Sequence, residues 1–392
     1  MIQGLKKQLV HAKLRAKLCI KNKMLYNRFS SQSGFQESSE KPNFVFSQVM
    51  ATRRVSLKDL AQELNISIST VSRALKNHPD ISLEVRKKVK QLAEERNYSP
   101  NPLAMGLLRQ QTKMIGVIVP DINTHFYSSI ISGIERVVNE NGYFILIASS
   151  NESMQKEKEA VENFLKSRVE GLIVCLSQET NDFTHFEKLI KNEVPLVFFD
   201  RICDSIDAPA VIADGGIAAQ KITKHFYTNG CRRIAYISGP DHLNISKNRK
   251  RGYLNGLKEC GLPVDPELIV QCNMSIDAAK SATRKLLELE HKPDAIFGIN
   301  DIVALSAMIE IKKQGFQIPN DIALAGFTDE FHSIVVDPPL TSVSHPTVQM
   351  GEEAATLFFR SLRSELKTSE KIILPIELIE RESSRKIYRI NS

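Results

Sequence analysis

The chain has 392 residues, of which 42% are hydrophobic and 25% are charged, a composition that is typical of globular proteins and excludes wholesale disorder. Its length suffices for two or three compact units, and no apolar run approaches the roughly 20 residues that span a bilayer. The six cysteines are scattered without a CxxC pair, which argues against a disulfide framework or a zinc site. Free thiols favour a reducing compartment, so we expect a cytoplasmic protein.

The net charge of +7 is unevenly distributed. Residues 51–110 carry eleven basic and six acidic side chains, whereas the chain after residue 110 is mildly acidic. A basic end on an acidic body predicts that the N-terminal part faces nucleic acid.

The extreme N-terminus is treated separately. Residues 1–36 contain eight basic and no acidic residues and end in a Ser-rich stretch, without the apolar core of a secretory signal. Three interpretations of residues 1–49 stay open: a start codon assigned too early with Met50 as the true initiator, a disordered basic arm that adds non-specific DNA affinity, or a targeting peptide.

Residues 54–98 show the spacing of three short helices around a shared apolar face. Ser56, with Asp59 three residues on, is close to a capping box, and Ser67 and Ser82 are candidate N-caps of the second and third helices. Two short helices joined by a tight turn and supported by a third predict a helix-turn-helix module.

The second of these helices, in the stretch LNISISTVSRALKNHPDIS, leaves short polar side chains and one arginine on its outer face. Short side chains can approach base edges in the major groove, and Arg73 can make a two-pronged contact with guanine. The hydroxyls of Thr70 and Ser72 suit phosphate oxygens. The alternative is a Ser-rich amphipathic surface helix.

The stretch SLKDLAQELNISISTVSRALKNHPDISLEVRKKVKQLAEERNYSPNPLAMGL resembles the DNA-binding headpiece of the LacI family of bacterial transcription regulators, and the rest of the chain resembles that family's effector domain almost to its end. The resemblance implies that operator bases are read by Ile68, Ser69 and Arg73. It implies that phosphates are held by Ser67, Thr70 and Ser72. Because Ile68 cannot hydrogen-bond a base, we expect it to favour a thymine methyl or a shape contact.

Residues 99–111 join head and body through SPNPLAMGLLRQQ, in which only about two helical turns fit. We expect a linker that is helical only when its apolar side chains are packed. The resemblance implies that two such hinge helices pair across a dimer and wedge Leu107 into the minor groove, which kinks the duplex. A plain interdomain linker is the alternative.

After residue 112, apolar runs such as MIGVIVP, GLIVCLS and PLVFFD alternate with amphipathic segments, which predicts parallel sheets covered on both faces. We therefore expect a multidomain chain, with a small all-α helix-turn-helix headpiece followed by a two-lobed α/β domain. The resemblance adds a periplasmic-binding-protein-like topology. Its N-terminal lobe comprises 112–213 with 346–373, and its C-terminal lobe comprises 214–345 with 374–389.

Polar and aromatic residues follow several predicted strands, at the sheet edge where open α/β folds bind ligands. The resemblance implies that Phe126 and Tyr127 stack on an effector. It implies that the cleft is lined by Asp200 and Arg201 and that the effector is hydrogen-bonded by Arg249, Asn300 and Asp301. Thr328 stands where many relatives carry an acidic effector contact, which leaves room for a neutral or anionic group.

Each of these residues has a structural alternative. Asp121, Asp200 and Asp329 can cap helices, Arg201 can form a salt bridge between the lobes, and Phe126 can belong to the core. The histidines lack the spacing of metal ligands, and no nucleophile elbow or P-loop is present, so we expect neither a metal nor a cofactor.

Together these features predict a homodimeric transcriptional repressor that binds a pseudo-palindromic double-stranded operator and is controlled by a small molecule, such as a sugar or related metabolite. Two rivals are a transport receptor, which lacks a DNA-binding head, and an α/β enzyme. The sequence leaves open repressor or activator, inducer or co-repressor, and dimer or tetramer.

Overall fold

The computed structural model describes residues 55–99, 112–366 and 370–385. The chain forms two compact units, one up to Ser99 and one from Pro100 onward. The described part of the first unit is helical, and that of the second alternates strands and helices. None of the helices in these described ranges is long and apolar enough to cross a membrane.

The described part of the first unit contains the helices α1 (Leu57–Glu63), α2 (Ile68–Leu75) and α3 (Leu83–Glu95). Each begins at its predicted serine N-cap, and Ser56 and Asp59 complete a capping box. The Ser56 amide donates to the Asp59 carboxylate at 2.8 Å, and the Asp59 amide donates to Ser56 Oγ at 3.3 Å. The shared core consists of Leu60, Ala61, Val71, Ala74, Val89, Leu92 and Ala93.

The first lobe of the second unit is built on a parallel sheet with the strand order β11-β5-β4-β3-β1-β2. Its strands are β1 (Met114–Val119), β2 (Phe144–Ser149), β3 (Leu172–Val174), β4 (Leu196–Phe199), β5 (Ala210–Ala213) and β11 (Lys371–Leu374). Its helices are α4 (His125–Glu140), α5 (Met154–Lys166), α6 (Thr184–Lys191) and α12 (Thr347–Leu362). The central strands β1, β3 and β4 are almost wholly buried, as a sheet covered on both faces requires.

The second lobe has a smaller parallel sheet with the order β7-β6-β8-β9. Its strands are β6 (Ile234–Ser238), β7 (Ile269–Gln271), β8 (Ala295–Gly298) and β9 (Ala323–Ala325). Its helices are α7 (Gly215–Thr228), α8 (Asn244–Glu259), α9 (Ile276–Leu287), α10 (Asp301–Lys313) and α11 (His332–Val335), with 3₁₀ turns at Pro266–Leu268 and Glu382–Ser384.

A short antiparallel ribbon completes the second lobe. It pairs β10 (Ser342–Ser344) with β12 (Glu377–Ile379), and Val343 and Leu378 contribute to the core of this lobe. The chain therefore passes between the lobes after β5, after β10 and after β11. The expectation of parallel sheets does not include this ribbon, because strands of three residues are too short to show an alternation pattern.

Candidate nucleic-acid interface and interlobe cavity

Helix α2 has one buried and one exposed face. Val71 and Ala74 are fully buried against the other two helices, whereas the side chains of Ser69 and Arg73 are exposed and Ile68 keeps 47% of its surface accessible. The helix therefore presents a hydroxyl, a guanidinium and one aliphatic side chain to the outside. This is the arrangement that base reading in a groove requires.

The N-terminus of α2 carries a cluster of hydroxyl groups. Ser67 Oγ accepts a hydrogen bond from the Thr70 amide at 3.0 Å and lies 2.7 Å from Ser69 Oγ and 2.8 Å from Thr70 Oγ1. Ser72 is half-buried on the same helix. Hydroxyls and amides at a helix N-terminus form a favourable environment for a phosphate oxygen.

The predicted hinge contact, Leu107, lies outside the described residues. The same holds for residues 1–49 and for most of the segment 99–111.

A cavity of about 300 Å³ lies between the two lobes. It is lined by seven of the eight residues expected to contact an effector, namely Phe126, Tyr127, Asp200, Arg201, Arg249, Asn300 and Thr328. Asp121 also lines it. Strand ends and helix N-termini from both lobes bring these residues together, as expected for a ligand site of an open α/β fold.

Asp301 is the expected contact that is not among the lining residues. Its fully buried carboxylate accepts hydrogen bonds from the Glu330 amide at 2.8 Å, from Ser333 Oγ at 2.8 Å and from Ser342 Oγ at 2.6 Å. Burial raises the pKa of this carboxyl, while the hydrogen bonds from Ser342, Glu330 and Ser333 oppose the rise. Asp301 thus fixes the loop that carries Thr328 and Glu330.

Arg201 forms an ion pair within the first lobe. Its Nη1 lies 2.7 Å from Glu152 Oε2, and the same carboxylate oxygen accepts a hydrogen bond from the Gln178 amide at 2.8 Å. Both Glu152 and Gln178 line the cavity. Arg201 therefore forms its ion pair within one lobe, and not between the lobes as considered from the sequence.

Arg249 supplies a buried guanidinium from the second lobe. The group lies 3.8 Å from the centre of the Phe327 ring, and its Nη1 donates to the Ile299 carbonyl oxygen at 2.7 Å. Burial lowers the pKa of Arg249, and the negative charge of Asp200 opposes this effect. Burial likewise raises the pKa of the Asp200 carboxyl, with Arg249 as the largest opposing influence. Asp200 and Arg249 are therefore electrostatically coupled across the cavity.

Aromatic rings form part of the cavity wall. The Phe126 and Tyr127 rings meet edge to face at 5.1 Å, and His345 packs between Phe126 at 5.5 Å and Phe327 at 5.2 Å. Phe126 and Tyr127 are each only 6% exposed, so they serve as core and as cavity wall at once. Burial lowers the pKa of His345 to about 3, which keeps the ring neutral between its neighbours.

Several lining residues were not predicted from the sequence. Besides Glu152 and Gln178 they are Thr124, Ile245, Asn273, Met274, Ser275, Ile276, Ile302 and Glu330. Asn273 to Ile276 follow the end of β7, and Glu330 lies two residues after Thr328. Both sets of residues follow the carboxyl end of a strand, and this position in the sequence could have predicted that they line the cavity.

The described ranges contain no group of three or more His, Cys, Asp or Glu side chains placed to hold a metal ion.

Two family models match the chain. Residues 56–101 match the bacterial regulatory proteins of the lacI family, and residues 112–382 match the periplasmic binding proteins and sugar binding domain of the LacI family. The chain belongs to the LacI family. It is accordingly a DNA-binding transcriptional regulator and not an enzyme.

Individual LacI-family proteins extend this result over most of the chain. The HTH-type transcriptional repressor CytR of Escherichia coli is 32% identical over 332 residues, which is 85% of this chain and 97% of that protein. The catabolite control protein A of Priestia megaterium is 33% identical over 84% of this chain and 99% of its own.

Solved structures of the family share the fold. The lac repressor dimer bound to operator and the anti-inducer ONPF superposes with a TM-score of 0.73 at 25% identity, over 85% of this chain and 99% of that one. The transcriptional regulator CelR in complex with cellobiose gives a TM-score of 0.65 at 26% identity, over 84% of this chain and 100% of its own.

Proposed function

We propose that this LacI-family regulator is a cytoplasmic homodimeric repressor whose affinity for a pseudo-palindromic operator is set by a small molecule bound in the interlobe cavity. The exposed polar face of α2 is the observation that carries the DNA-binding part of this proposal. Arg73, Ser69 and Ile68 on that face read bases, while the hydroxyls of Ser67, Thr70 and Ser72 hold phosphates.

Twofold symmetry of a homodimer matches two half-sites of an operator. CytR is a transcriptional repressor, and the lac repressor binds operator as a dimer. We extend both properties to this chain. Residues 99–111 serve as the hinge, with Leu107 as the side chain that enters the minor groove. The lobes comprise 112–213 with 346–373 and 214–345 with 374–389.

The cavity supports control by a ligand because hydrogen bonds join the two lobes at its edge. The Asn244 side chain of the second lobe accepts from the Ile202 amide at 3.1 Å and donates to the Asp200 carbonyl oxygen at 3.1 Å. His242 Nε2 lies 2.6 Å from the Gln178 carbonyl oxygen. A ligand that contacts both lobes favours one arrangement of these bonds, which changes the spacing of the two hinges in the dimer.

A sugar or a related metabolite is the proposed effector class. The cavity volume of about 300 Å³ lies at the small end of the range for ligand sites. The matched family model is that of a sugar binding domain, and CelR is described in complex with cellobiose. Effector contacts are assigned to Phe126, Tyr127, Asp200, Arg201, Arg249, Asn300 and Thr328, and Asp301 acts through the loop that it positions.

Binding of the full-length protein to DNA tests the proposal. An operator is first selected from a random duplex library, and affinity is then measured for this operator and for a scrambled duplex. Arg73→Ala should cost about 1–3 kcal/mol on the operator and relax the preference at one base pair. The exposed Lys90 on α3 provides a charge-matched control, Lys90→Ala, which should affect both duplexes alike. An equal loss on both duplexes for Arg73→Ala would refute its role in base reading.

A further inference from the structure

Glu330 is a buried carboxyl group at the wall of the effector cavity. The residue is 9% exposed and lines the cavity, as does Thr328. Within the described ranges the Glu330 carboxylate has neither a hydrogen-bond donor nor a basic ion-pair partner. Because its oxygens keep access to the solvent in the cavity, they are able to accept a hydrogen bond from a bound ligand.

The geometry of the loop after β9 directs Glu330 to the cavity. Thr328 and Asp329 both have positive φ angles, 124° and 51°. Asp329 is paired with Arg381 at 2.6 Å, and the Glu330 amide is held by the Asp301 carboxylate at 2.8 Å. The Asp329 carboxylate therefore binds Arg381, whereas the Glu330 side chain faces the cavity.

The charges around the cavity do not balance. Among the described residues, its wall carries the carboxyl groups of Asp121, Glu152, Asp200 and Glu330 and two guanidinium groups. Glu152 is satisfied by the ion pair with Arg201, and Asp200 is coupled to Arg249. Burial and the like charge of the Asp301 carboxylate raise the pKa of Glu330 to about 7.

We propose that Glu330 is a specificity-determining residue of the cavity, which accepts a hydrogen bond from a hydroxyl or ammonium group of a neutral or amino-bearing, hydroxyl-rich effector and disfavours phosphorylated ones. This inference rests on the proposed function of the cavity. Glu330 supplies an acidic acceptor two residues after Thr328, the position that is acidic in many relatives. Of the neutral and anionic groups that the sequence leaves open at Thr328, Glu330 favours the neutral one.

Apolar side chains in the cavity wall also fit a hydroxyl-rich effector. Phe126, Met274, Ile276 and Ile302 border the same space. A sugar ring or a nucleoside presents an apolar face to such side chains while its hydroxyls reach the carboxylates. A phosphate would have to approach more carboxyl than guanidinium groups, and the like charges would repel it.

Titration calorimetry on the full-length protein tests the inference. The probes are D-glucose, D-glucosamine, D-ribose and adenosine, each beside its phosphate: glucose 6-phosphate, glucosamine 6-phosphate, ribose 5-phosphate and AMP. We expect at least one unphosphorylated probe to bind at least tenfold more tightly than its phosphate. Glu330→Gln should weaken this binding tenfold or more and reduce the discrimination, and Glu330→Asp should retain part of both.

The exposed Glu290 of the same lobe provides the matched control, and Glu290→Gln should bind as the wild type does. Operator binding by each variant shows that it is folded. The inference is overturned if a phosphorylated probe binds more tightly than its parent, if Glu330→Gln leaves binding unchanged, or if the wild-type protein binds none of the probes. Intact probe binding without any effect on operator affinity would instead count against the proposed function alone.

Discussion

Replacing Asp301 with alanine should destabilise the second lobe by about 3 kcal/mol. The substitution removes the acceptor of three hydrogen bonds, from the Glu330 amide, Ser333 Oγ and Ser342 Oγ. Hydrogen bonds to a charged group contribute about 1.5 kcal/mol each at the low end of their range, so the gross loss is about 4–5 kcal/mol. Relief of the burial cost of the carboxylate, which raises its pKa, offsets part of this loss, so the expected net change is about 3 kcal/mol.

Urea unfolding of the full-length protein, followed by far-UV circular dichroism at pH 7, measures this difference. Asp301→Asn should cost only about 1 kcal/mol, because the amide keeps one oxygen acceptor and removes the buried charge. Asp204 offers a control, since it forms an exposed pair with Lys371 at 2.9 Å. Asp204→Ala should change stability by less than about 0.5 kcal/mol. A similarly small change for Asp301→Ala would refute the positioning role.

Three further substitutions test other parts of the structure. Ser67→Ala removes the acceptor of the Thr70 amide and should cost the headpiece about 1 kcal/mol, measured by thermal unfolding; an unchanged melting temperature would contradict the cap. Gly252→Ala places a methyl group against the Gly216 carbonyl oxygen, a backbone atom that cannot yield, and should lower stability by about 2 kcal/mol or more in urea; wild-type stability would show that α7 and α8 can separate. Glu330 has a pKa of about 7 in the folded protein against an ordinary 4.5, so the folded state binds the proton more tightly and stability falls as pH rises from 4.5 to 7. Glu330→Gln should therefore be more stable than the wild type by about 1–2 kcal/mol at pH 8, after allowance for solvent screening, and should lose most of this advantage at pH 5; a constant difference across this range would disprove the raised pKa.

The sequence alone determined the elements whose causes are local. The three serine caps of the headpiece act on amides no more than three residues away, and the capping box of Ser56 and Asp59 closes within one turn. The apolar runs of β1, β3 and β4 likewise predict that these strands are buried, because nearly all of their residues are apolar. Such signals are readable because hydrogen bonds within a turn and burial of a continuous apolar run depend on neighbouring residues.

The tertiary structure alone decided which partners the polar side chains around the cavity have. Arg201 is paired with Glu152, 49 residues away, and Asp301 is committed to Ser342, 41 residues away. Both contacts arise only when strand ends from distant segments meet at one sheet edge. Glu330 illustrates the same limit, because its neighbour Asp329 is held by Arg381, 52 residues away. Asp329 and Glu330 carry the same charge and are adjacent in sequence, yet they have different roles. The difference arises from a distant partner, Arg381, which the local sequence pattern does not reveal.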